Sequence, residues 1–222
     1  MKNSAEGGTT TRPYASAIRT AAAAENRRRV VESATRLLRD GVIGTFSLDA
    51  VAKDAGLTRL TVYNQFGSRR GLLEAVFDEL ARTGGLHRLA EATKLPDPLE
   101  GIDRVVEIFC EFWSSDLAVG RLHDAMALDS EFGEALTLRN ERRREILNVL
   151  VARVLGKGPN QRERRDAVDL IHAFTGFFMH RMLSRGRRPG AVCALIKTAC
   201  RTAVMSNSDS RIDADRRARV QR

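Results

Sequence analysis

The stretch SLDAVAKDAGLTRLTVYNQFGSRR, at residues 47–70, constrains the fold more than any other part of the chain. Ser47 is a favoured N-cap for a short helix, Leu48 to Ala55, in which Leu48, Val51 and Ala52 belong to a buried stripe. Gly56 follows, and glycine most easily adopts the left-handed conformation that ends a helix. The sequence therefore predicts a short first helix and a tight turn.

A second helix is predicted from Arg59 to about Gln65, with Thr58 as its N-cap. Val62 and Phe66 are four residues apart and point inward, which leaves the opposite face to solvent. Two short helices in this order form a helix-turn-helix, whose second helix can lie in a DNA major groove about 12 Å wide. The outward-facing residues are Arg59, Leu60, Tyr63 and Asn64.

This segment resembles the TetR family of bacterial transcriptional regulators. The likeness extends over residues 26–81, about a quarter of the chain. It combines a preceding helix, the helix-turn-helix and the start of the next helix. The residues that carry it are Arg29-Val-Val-Glu-Ser-Ala, Gly41, Ser47-Leu-Asp-Ala-Val-Ala, Ala55-Gly-Leu-Thr, Thr61-Val-Tyr and Phe66 to Leu73.

Candidate DNA contacts follow from the predicted recognition helix and from the resemblance. Arg59 can bind guanine O6 and N7 together or contact a phosphate, and Asn64 can pair with adenine or bind the backbone. The resemblance implies a phosphate contact for Tyr63. The amide groups near Ser68, at the start of the next helix, can also accept a phosphate. The predicted contacts are Ser47, Thr58, Arg59, Leu60, Thr61, Tyr63, Asn64 and Arg69.

Two residues depart from the family pattern. Leu60 stands where the family often has a small residue, so it either contacts a thymine methyl or holds the helix away from the bases. Arg70 replaces a commonly acidic residue, and a cation at a helix start is unfavourable by roughly 0.3–1 kcal/mol. Arg70 therefore implies a nearby phosphate or a tolerant position.

The chain divides by composition into four parts. Residues 1–24 are rich in Ser, Thr, Gly and Ala and are interpreted as a flexible arm. Its Lys2, Arg12 and Arg19 either reach DNA or have no role. Residues 25–83 form the DNA-binding domain, with a first helix from about Asn26 to Arg39 and a last helix that ends at Gly84-Gly85. Residues 84–206 form a second domain, and residues 207–222 a flexible basic tail.

The second domain is predicted to be a helical bundle, which makes the whole chain all-α. Asp97-Pro98-Leu99-Glu100 is a clear helix start, with an N-cap, a proline at the first helical position and an acidic third residue. Further helices are predicted at 117–128, at 131–155 with Ser130 as N-cap, from Arg162 to Ser184 and from Ala191 to Met205.

The resemblance implies that this bundle binds a small molecule and forms a homodimer through its last two helices. Aromatic and aliphatic residues on the inward faces can either line an apolar pocket or form ordinary core. The pocket candidates are Val105, Val106, Phe109, Trp113, Phe174 and Phe177. The dimer candidates are Ala167, Leu170, Ile171, Phe178, Leu195 and Ala199.

Composition agrees with a DNA partner and excludes several other classes of protein. The net charge of +9 suits a polyanion. No apolar run is long enough to span a membrane and no signal peptide opens the chain, so a cytoplasmic protein is expected. Cys110, Cys193 and Cys200 have no Cys-x-x-Cys spacing, which argues against a zinc site or a disulfide framework. Cys193 and Cys200 are either redox-sensitive or buried apolar residues.

Three functions compete at this point. The leading hypothesis is a homodimeric repressor that a small-molecule ligand releases from a near-palindromic operator on double-stranded DNA. The alternative is an activator or a ligand-independent regulator with a solid core. An enzyme is disfavoured because the chain lacks a Gly-rich phosphate loop, a nucleophile elbow and a metal-spaced His or Glu cluster. No cofactor is expected.

Overall fold

A computed structural model describes the backbone of residues 11–41, 43–156 and 160–220, and the side chains within those ranges except at 11–16, 43 and 206–220. These residues form eleven α-helices and two short 3-10 helices, Ile43–Thr45 and Leu86–Arg88, with no β-strand among them. The all-α prediction is confirmed. The helices are α1 (Thr11–Asp40), α2 (Leu48–Ala55), α3 (Arg59–Phe66), α4 (Arg69–Thr83), α5 (Leu89–Ala92), α6 (Pro98–Ser115), α7 (Leu117–Ala125), α8 (Ser130–Leu155), α9 (Gln161–Phe174), α10 (Phe177–Leu183) and α11 (Pro189–Val220).

The chain divides into two compact units, residues 1–76 and 77–222. The division falls inside α4, seven residues before the boundary that the sequence analysis placed at residues 83 and 84. No helix in the described ranges is both long and apolar enough to cross a membrane.

The helix-turn-helix has the predicted local structure. The Ser47 hydroxyl accepts a hydrogen bond from the Ala50 amide at 3.1 Å, and the Thr58 hydroxyl accepts one from the Thr61 amide at 3.1 Å. Gly56 adopts φ 64° and ψ 37°, and its amide donates to the carbonyls that end α2. A residue with a Cβ would be strained at this φ. Local capping therefore sets both helix boundaries.

The first unit has a small core that forms between α1 and the helix-turn-helix. Apart from Phe46, the side chains inside it are aliphatic or small, so the helices can pack closely. Ala52, which the sequence analysis assigned to the buried stripe of α2, is 3% exposed. The buried residues of this unit include Val30, Ala34, Leu38, Phe46, Val51, Ala52, Ala55, Val62, Leu72, Leu73 and Val76.

Both terminal helices are longer than predicted. Helix α1 begins at Thr11 rather than near Asn26, so residues 11–24 of the predicted arm are helical; Lys2 lies outside the described residues. Helix α11 continues to Val220, through most of the predicted tail. No glycine or proline interrupts residues 14–40 or 191–220, and both segments are rich in alanine and arginine, which favour helices.

Helix α6 is the central helix of the second unit. Asp97 accepts a hydrogen bond from the Leu99 amide at 2.8 Å and Pro98 occupies the first turn, as predicted. Helices α5, α7, α8, α10 and α11 all contact α6. Helix α8 begins one residue earlier than predicted, because Asp129 rather than Ser130 is its N-cap and accepts from the Phe132 amide at 3.0 Å.

The predicted helix from Arg162 to Ser184 is wrong, because Thr175 and Gly176 divide it into α9 and α10. The Thr175 carbonyl accepts two side-chain hydrogen bonds, from Trp113 Nε1 at 2.9 Å and from Arg143 Nη1 at 2.8 Å. These donors compensate for the helical hydrogen bond that this carbonyl gives up. The break thus depends on residues more than 30 positions away, which no local pattern reveals.

An aromatic cluster lies where the broken helix meets α6 and α7. His123 is 5% exposed; its ring stacks on Phe177 at 4.3 Å and meets Trp113 edge-on at 5.2 Å between ring centroids. Its Nδ1–H donates to the Val119 carbonyl at 2.9 Å. Burial lowers the pKa of His123 to about 4, since the charged imidazolium is poorly solvated there.

We predict that His123 makes the protein less stable under acidic conditions. The unfolded chain takes up a proton at His123 near pH 6.5, whereas the folded chain does so only near pH 4. Stability is therefore intact above pH 6.5 and falls between pH 6.5 and 4 by about 3 kcal/mol from this group. Denaturant unfolding of the wild type and His123→Gln across this range measures the effect. Identical slopes of unfolding free energy against pH would contradict it.

We predict that Gly101 cannot be replaced without cost. A Cβ there would lie 2.6 Å from Leu150 Cδ2 and 2.8 Å from the Ala92 carbonyl oxygen, so α5 or α8 must shift. Gly101→Ala is expected to destabilise by about 1–3 kcal/mol through overpacking. Gly190→Ala is the matched control, because nothing lies within 4 Å of its Cβ. Equal unfolding midpoints for the two variants would refute the packing argument.

Candidate nucleic-acid interface and ligand cavity

The outer face of α3 carries the residues that the sequence predicted to face DNA. The side chain of Arg59 is 69% exposed, Leu60 is 66% exposed and Tyr63 is 54% exposed, and Asn64 is also exposed. Val62, on the opposite face, has no exposed surface. Helix α3 has eight residues, a length of about 12 Å, which suits a major groove.

The hydroxyl groups at the start of α3 form a connected pair. Thr58 Oγ1 and Thr61 Oγ1 lie 2.8 Å apart, and Thr58 also caps the helix. Thr58 is exposed, whereas Thr61 and Ser47 are half-buried. A capping hydroxyl oxygen that accepts from an amide still has its own O–H to donate. Ser47 therefore combines a capping role with a remaining donor, whereas in the Thr58–Thr61 pair one hydroxyl donates to the other and one O–H remains.

Asp49 is a feature of this face that the sequence analysis missed. It lies in the first turn of α2, and its Oδ2 is 3.5 Å from Arg59 Nη1 across the turn. Both side chains are well exposed, so the pair contributes little to stability and can open without much cost. Asp49 holds the Arg59 guanidinium at the N-terminal ends of both helices. The sequence could have indicated Asp49, because it lies two residues after the predicted N-cap Ser47 and a carboxylate is favourable in the first turn of a helix.

Arg69 and Arg70 have specific partners at the start of α4. Arg69 Nε donates to the Phe46 carbonyl at 3.1 Å, and its guanidinium carbon lies 5.7 Å from the centroid of the Phe46 ring. Arg70 Nε lies 2.6 Å from Glu74 Oε1, one helical turn further on. The Glu74 pair offsets the unfavourable cation at the helix start. Arg69 thus anchors α4, and its predicted DNA contact remains a proposal.

Three arginines of α1 bind α2 and α3, and the sequence analysis did not identify them. Arg29 Nη2 donates to the Ala55 carbonyl at 2.5 Å, Arg36 forms an ion pair with Asp54, and the Arg27 guanidinium carbon lies 4.5 Å from the Phe66 ring centroid. Arg29 and Arg36 are seven residues apart and share a helix face. The seven-residue spacing was a signal in the sequence for two cations on one face of α1, and cations are favourable near the C-terminal end of a helix such as α2.

A cleft of about 310 Å³ opens beside α6 in the second unit. Phe109 and Trp113, both predicted pocket residues, form part of its wall. The single carboxylate on its lining is Asp78, which Arg139 Nη2 holds at 3.0 Å. The other residues lining the cleft are Phe77, Ala81, Leu86, His87, Leu89, Ala90, Phe112, Asn140, Arg142, Arg143 and Ile146.

A second cavity, of about 230 Å³, shares Asn140 and Arg143 with this cleft. Phe177 is the predicted pocket residue that lines it, and no carboxylate does. Its remaining lining residues are His123, Met126, His172, Ala173, Gly176, Phe178 and Met179. The other three predicted pocket residues line neither cavity: Val105 and Val106 are fully buried core and Phe174 is half-buried.

Arg143 separates the two cavities and is 6% exposed. Its Nη1 donates to the Thr175 carbonyl, and its Nη2 lies 3.1 Å from His172 Nε2. His172 Nε2 also lies 3.3 Å from the Asn140 carbonyl oxygen, and since arginine only donates, the tautomer that accepts from Arg143 does not donate to Asn140. The guanidinium carbon lies 5.0 Å from the Phe109 ring centroid. Burial lowers the pKa of Arg143 to about 10, with a smaller contribution from Arg144, so the side chain is still a cation at neutral pH.

The predicted dimer residues fall into two groups. Ala167 and Ile171 have no exposed surface within the chain, so they cannot contact a second copy, and this part of the prediction is wrong. Leu170, Phe178 and Leu195 are 46%, 60% and 43% exposed, and Ala199 is half-buried. The large exposed side chains lie on α9, α10 and α11.

The three cysteines are free thiols. Cys110 and Cys200 are buried and Cys193 is half-buried. Burial raises the pKa of all three, that of Cys200 to about 12, so each is a protonated, weakly reactive thiol at neutral pH. The alternative of buried apolar cysteines is thus favoured over redox-sensitive ones.

Comparison with known proteins gives consistent results. The family model described as bacterial regulatory proteins, tetR family, matches residues 30–76. The HTH-type transcriptional regulator EthR of Mycolicibacterium smegmatis is 32% identical over 108 residues, which are 47% of this chain and 49% of that protein. The chain thus spans about half the length of this relative.

The crystal structure of the TetR family repressor AlkX from Dietzia sp. strain DQ12-45-1b matches 80% of this chain and 97% of that one, with 18% identity and a TM-score of 0.43.

The family model covers the end of α1, the helix-turn-helix and the first half of α4. These are the elements on which the sequence resemblance rests. Residues 30–76 of this chain are thus similar to the DNA-binding segment that defines the TetR family of bacterial regulatory proteins.

Proposed function

We propose that the protein is a homodimeric, sequence-specific repressor whose grip on operator DNA is released by a small-molecule ligand. The observation that carries the DNA-binding part is the exposed face of α3, where Arg59, Tyr63 and Asn64 stand free of the core. A guanidinium, a phenol and a carboxamide can together read base edges and contact phosphates. Such a repressor must reach the chromosome, so we propose that the protein acts in the bacterial cytoplasm.

The homodimer is supported by apolar surface and by the geometry of DNA. Leu170, Phe178, Met182 and Leu195 expose large apolar side chains on α9, α10 and α11. One eight-residue recognition helix reads only a few base pairs, whereas two copies read an inverted repeat with half-sites about one helical turn apart. A second copy of the chain covers the apolar surface and doubles the sequence that is read.

Release by a ligand is supported by the two cavities around Arg143. Their combined aromatic and polar lining is typical of small-molecule sites. The ligand-independent alternative required a solid core and is less well supported for this reason. Repression, in turn, needs only occupancy of an operator, whereas activation needs a further surface for the transcription machinery. A ligand acts only if its affinity differs between the DNA-bound and released states.

We predict that Arg59 and Tyr63 contribute differently to DNA binding. An operator is first selected from a random duplex pool, and affinities of the variants are then titrated against salt. If Arg59 binds a guanine, Arg59→Ala weakens binding roughly ten- to hundredfold and relaxes preference at one base pair. If Tyr63 contacts a phosphate, Tyr63→Phe weakens all sequences alike.

Arg162→Ala is the matched control for this experiment. Arg162 is 90% exposed and lies 3.8 Å from Asp166, a loose ion pair like that of Arg59 with Asp49. It lies on α9 in the second unit and is not part of the recognition helix, so its variant should bind as tightly as the wild type. Unchanged operator affinity in Arg59→Ala, or no enriched sequence at all, would refute the proposed interface.

We predict that a charge on the apolar surface dissociates the dimer. Leu170→Glu and Leu195→Glu each place a carboxylate in the proposed contact, where it would be desolvated without a partner. Both variants should sediment as monomers at concentrations at which the wild type is dimeric, and should lose affinity for the inverted repeat. Leu138→Glu on α8, where the leucine is 71% exposed, is the control. Dimers of unchanged strength in both variants would show that another surface mediates assembly.

A further inference from the structure

The surroundings of Arg143 differ from those of the other arginines in the second unit that have contacts. Arg88, Arg139, Arg144, Arg181 and Arg201 all bind carboxylates, whereas Arg153, Arg164 and Arg187 bind backbone carbonyls. Arg164 also has a buried Nε without a hydrogen-bond partner, but its side chain as a whole is only half-buried. Arg143 is buried, yet within the described ranges no carboxylate lies within ion-pair distance of it. A buried cation normally has an anionic partner, since burial removes the hydration that stabilises its charge.

The hydrogen bonds of Arg143 leave one edge of its guanidinium incompletely bound. Nη1 donates to Thr175 and Nη2 to His172, both neutral acceptors, while the buried Nε has no partner within the described structure. The Nε–H and one Nη2–H lie on the same edge of the guanidinium plane, with the spacing of the two oxygens of a carboxylate. Arg143 therefore has, on this edge, a buried N–H donor that has no partner within the described structure.

Both cavities reach this residue. The larger one adds an apolar wall of Phe77, Phe109, Phe112 and Trp113, and Asp78 is neutralised by Arg139. The smaller one contains no carboxylate, and its His123 and His172 have lowered pKa values because of burial, so they are neutral at pH 7. Neither cavity supplies a negative charge that would compete for Arg143.

We propose that the effector of this protein is an organic anion, a carboxylate on an aromatic or aliphatic body, and that Arg143 binds its charged end. The body lies against the wall formed by Phe109 and Trp113, and the carboxylate accepts hydrogen bonds from Nε and Nη2. This inference rests on the proposed function, since it identifies the chemical class of the ligand that releases DNA.

The cavity volume limits the size of such a ligand. About 310 Å³ is near the lower end of the range for small-molecule sites, which suits one or two rings or a medium-length chain rather than a cofactor. The site also discriminates by charge. A neutral amide of the same shape can accept one hydrogen bond from Arg143 but leaves the cation without a counter-charge.

Trp113 provides a direct measurement of binding, because it is the only tryptophan in the chain and lines the larger cavity. Benzoate, 2-naphthoate and octanoate, each paired with its primary amide, are titrated into the full-length protein while tryptophan fluorescence is followed. At least one carboxylate should bind roughly tenfold or more tightly than its amide, because hydrogen bonds to charged groups are the stronger ones.

Arg143→Met keeps the length and apolar stem of the side chain but removes its charge. The preference for carboxylate over amide should fall to about one, while binding of the amide is retained, which a merely structural role for Arg143 would not produce. Trp113 Nε1 still holds the Thr175 carbonyl in this variant, so the helix break keeps one of its donors. Arg143→Lys keeps the charge without the two-donor edge and should give an intermediate preference. Arg162→Met is the control and should leave the preference unchanged.

Several outcomes would overturn the inference: no saturable binding of any of the six compounds at millimolar concentration, equal binding of acid and amide, or a preference that survives Arg143→Met. A parallel titration of operator DNA separates this inference from the proposed function. Carboxylates that bind through Arg143 without changing operator affinity would support the ligand class and contradict release by ligand. Release of DNA by the amides alone would support ligand control and contradict the anion.

Discussion

The Thr175 carbonyl is the point on which the architecture of the second unit depends. It has left the helical hydrogen-bond pattern and is held by Trp113 from α6 and by Arg143 from α8. Because these two donors satisfy it, the chain can turn at Gly176 and start α10 in a new direction. The turn brings Phe177 against Trp113, with ring centroids 5.6 Å apart, and against His123. A continuous helix would carry Phe177 to a different face, and the smaller cavity would lose one of its walls.

The first unit is held together in a different way. Its core consists of Phe46 and of small and aliphatic side chains. The arginines of α1 extend across the surface to the carbonyl of Ala55, the carboxylate of Asp54 and the ring of Phe66. These contacts hold α2 and α3 from one side. The opposite face of α3 makes no contact with the core, and its exposed side chains can therefore contact DNA.

The sequence was sufficient where structure is local. Ser47, Gly56 and Thr58 each act on a neighbour within a few residues, so the boundaries of α2 and α3 follow from capping chemistry alone. The Asp97-Pro98 start of α6 was readable for the same reason. These predictions needed no knowledge of what the helices pack against.

The sequence was insufficient where a distant residue decides. The break at Thr175 is stabilised from positions 62 and 32 residues away, so the segment reads as one helix. Arg143 lies within Arg-Asn-Glu-Arg-Arg-Arg-Glu, a run that looks like a solvated face, and Glu141 and Glu145 are indeed exposed. The burial of Arg143, which lies between Glu141 and Glu145 in the sequence, becomes visible only where α8 crosses α9. Likewise, helical spacing grouped Ala167 and Ile171 with Leu170 but did not show which of them face the core.

The position of Arg143 links ligand chemistry to the proposed dimer surface. The same guanidinium that would bind an anion through Nε and Nη2 holds the end of α9 through Nη1, and Leu170 and Phe178 lie within five residues of that junction. If a bound carboxylate draws the guanidinium away from Thr175, the carbonyl at this junction keeps only the hydrogen bond from Trp113. Part of the free energy of ligand binding is then spent on weakening the hydrogen bond between Arg143 and the α9–α10 junction. An uncharged ligand does not attract the guanidinium in this way. We therefore expect the charge of the effector to be coupled to movement at the dimer surface.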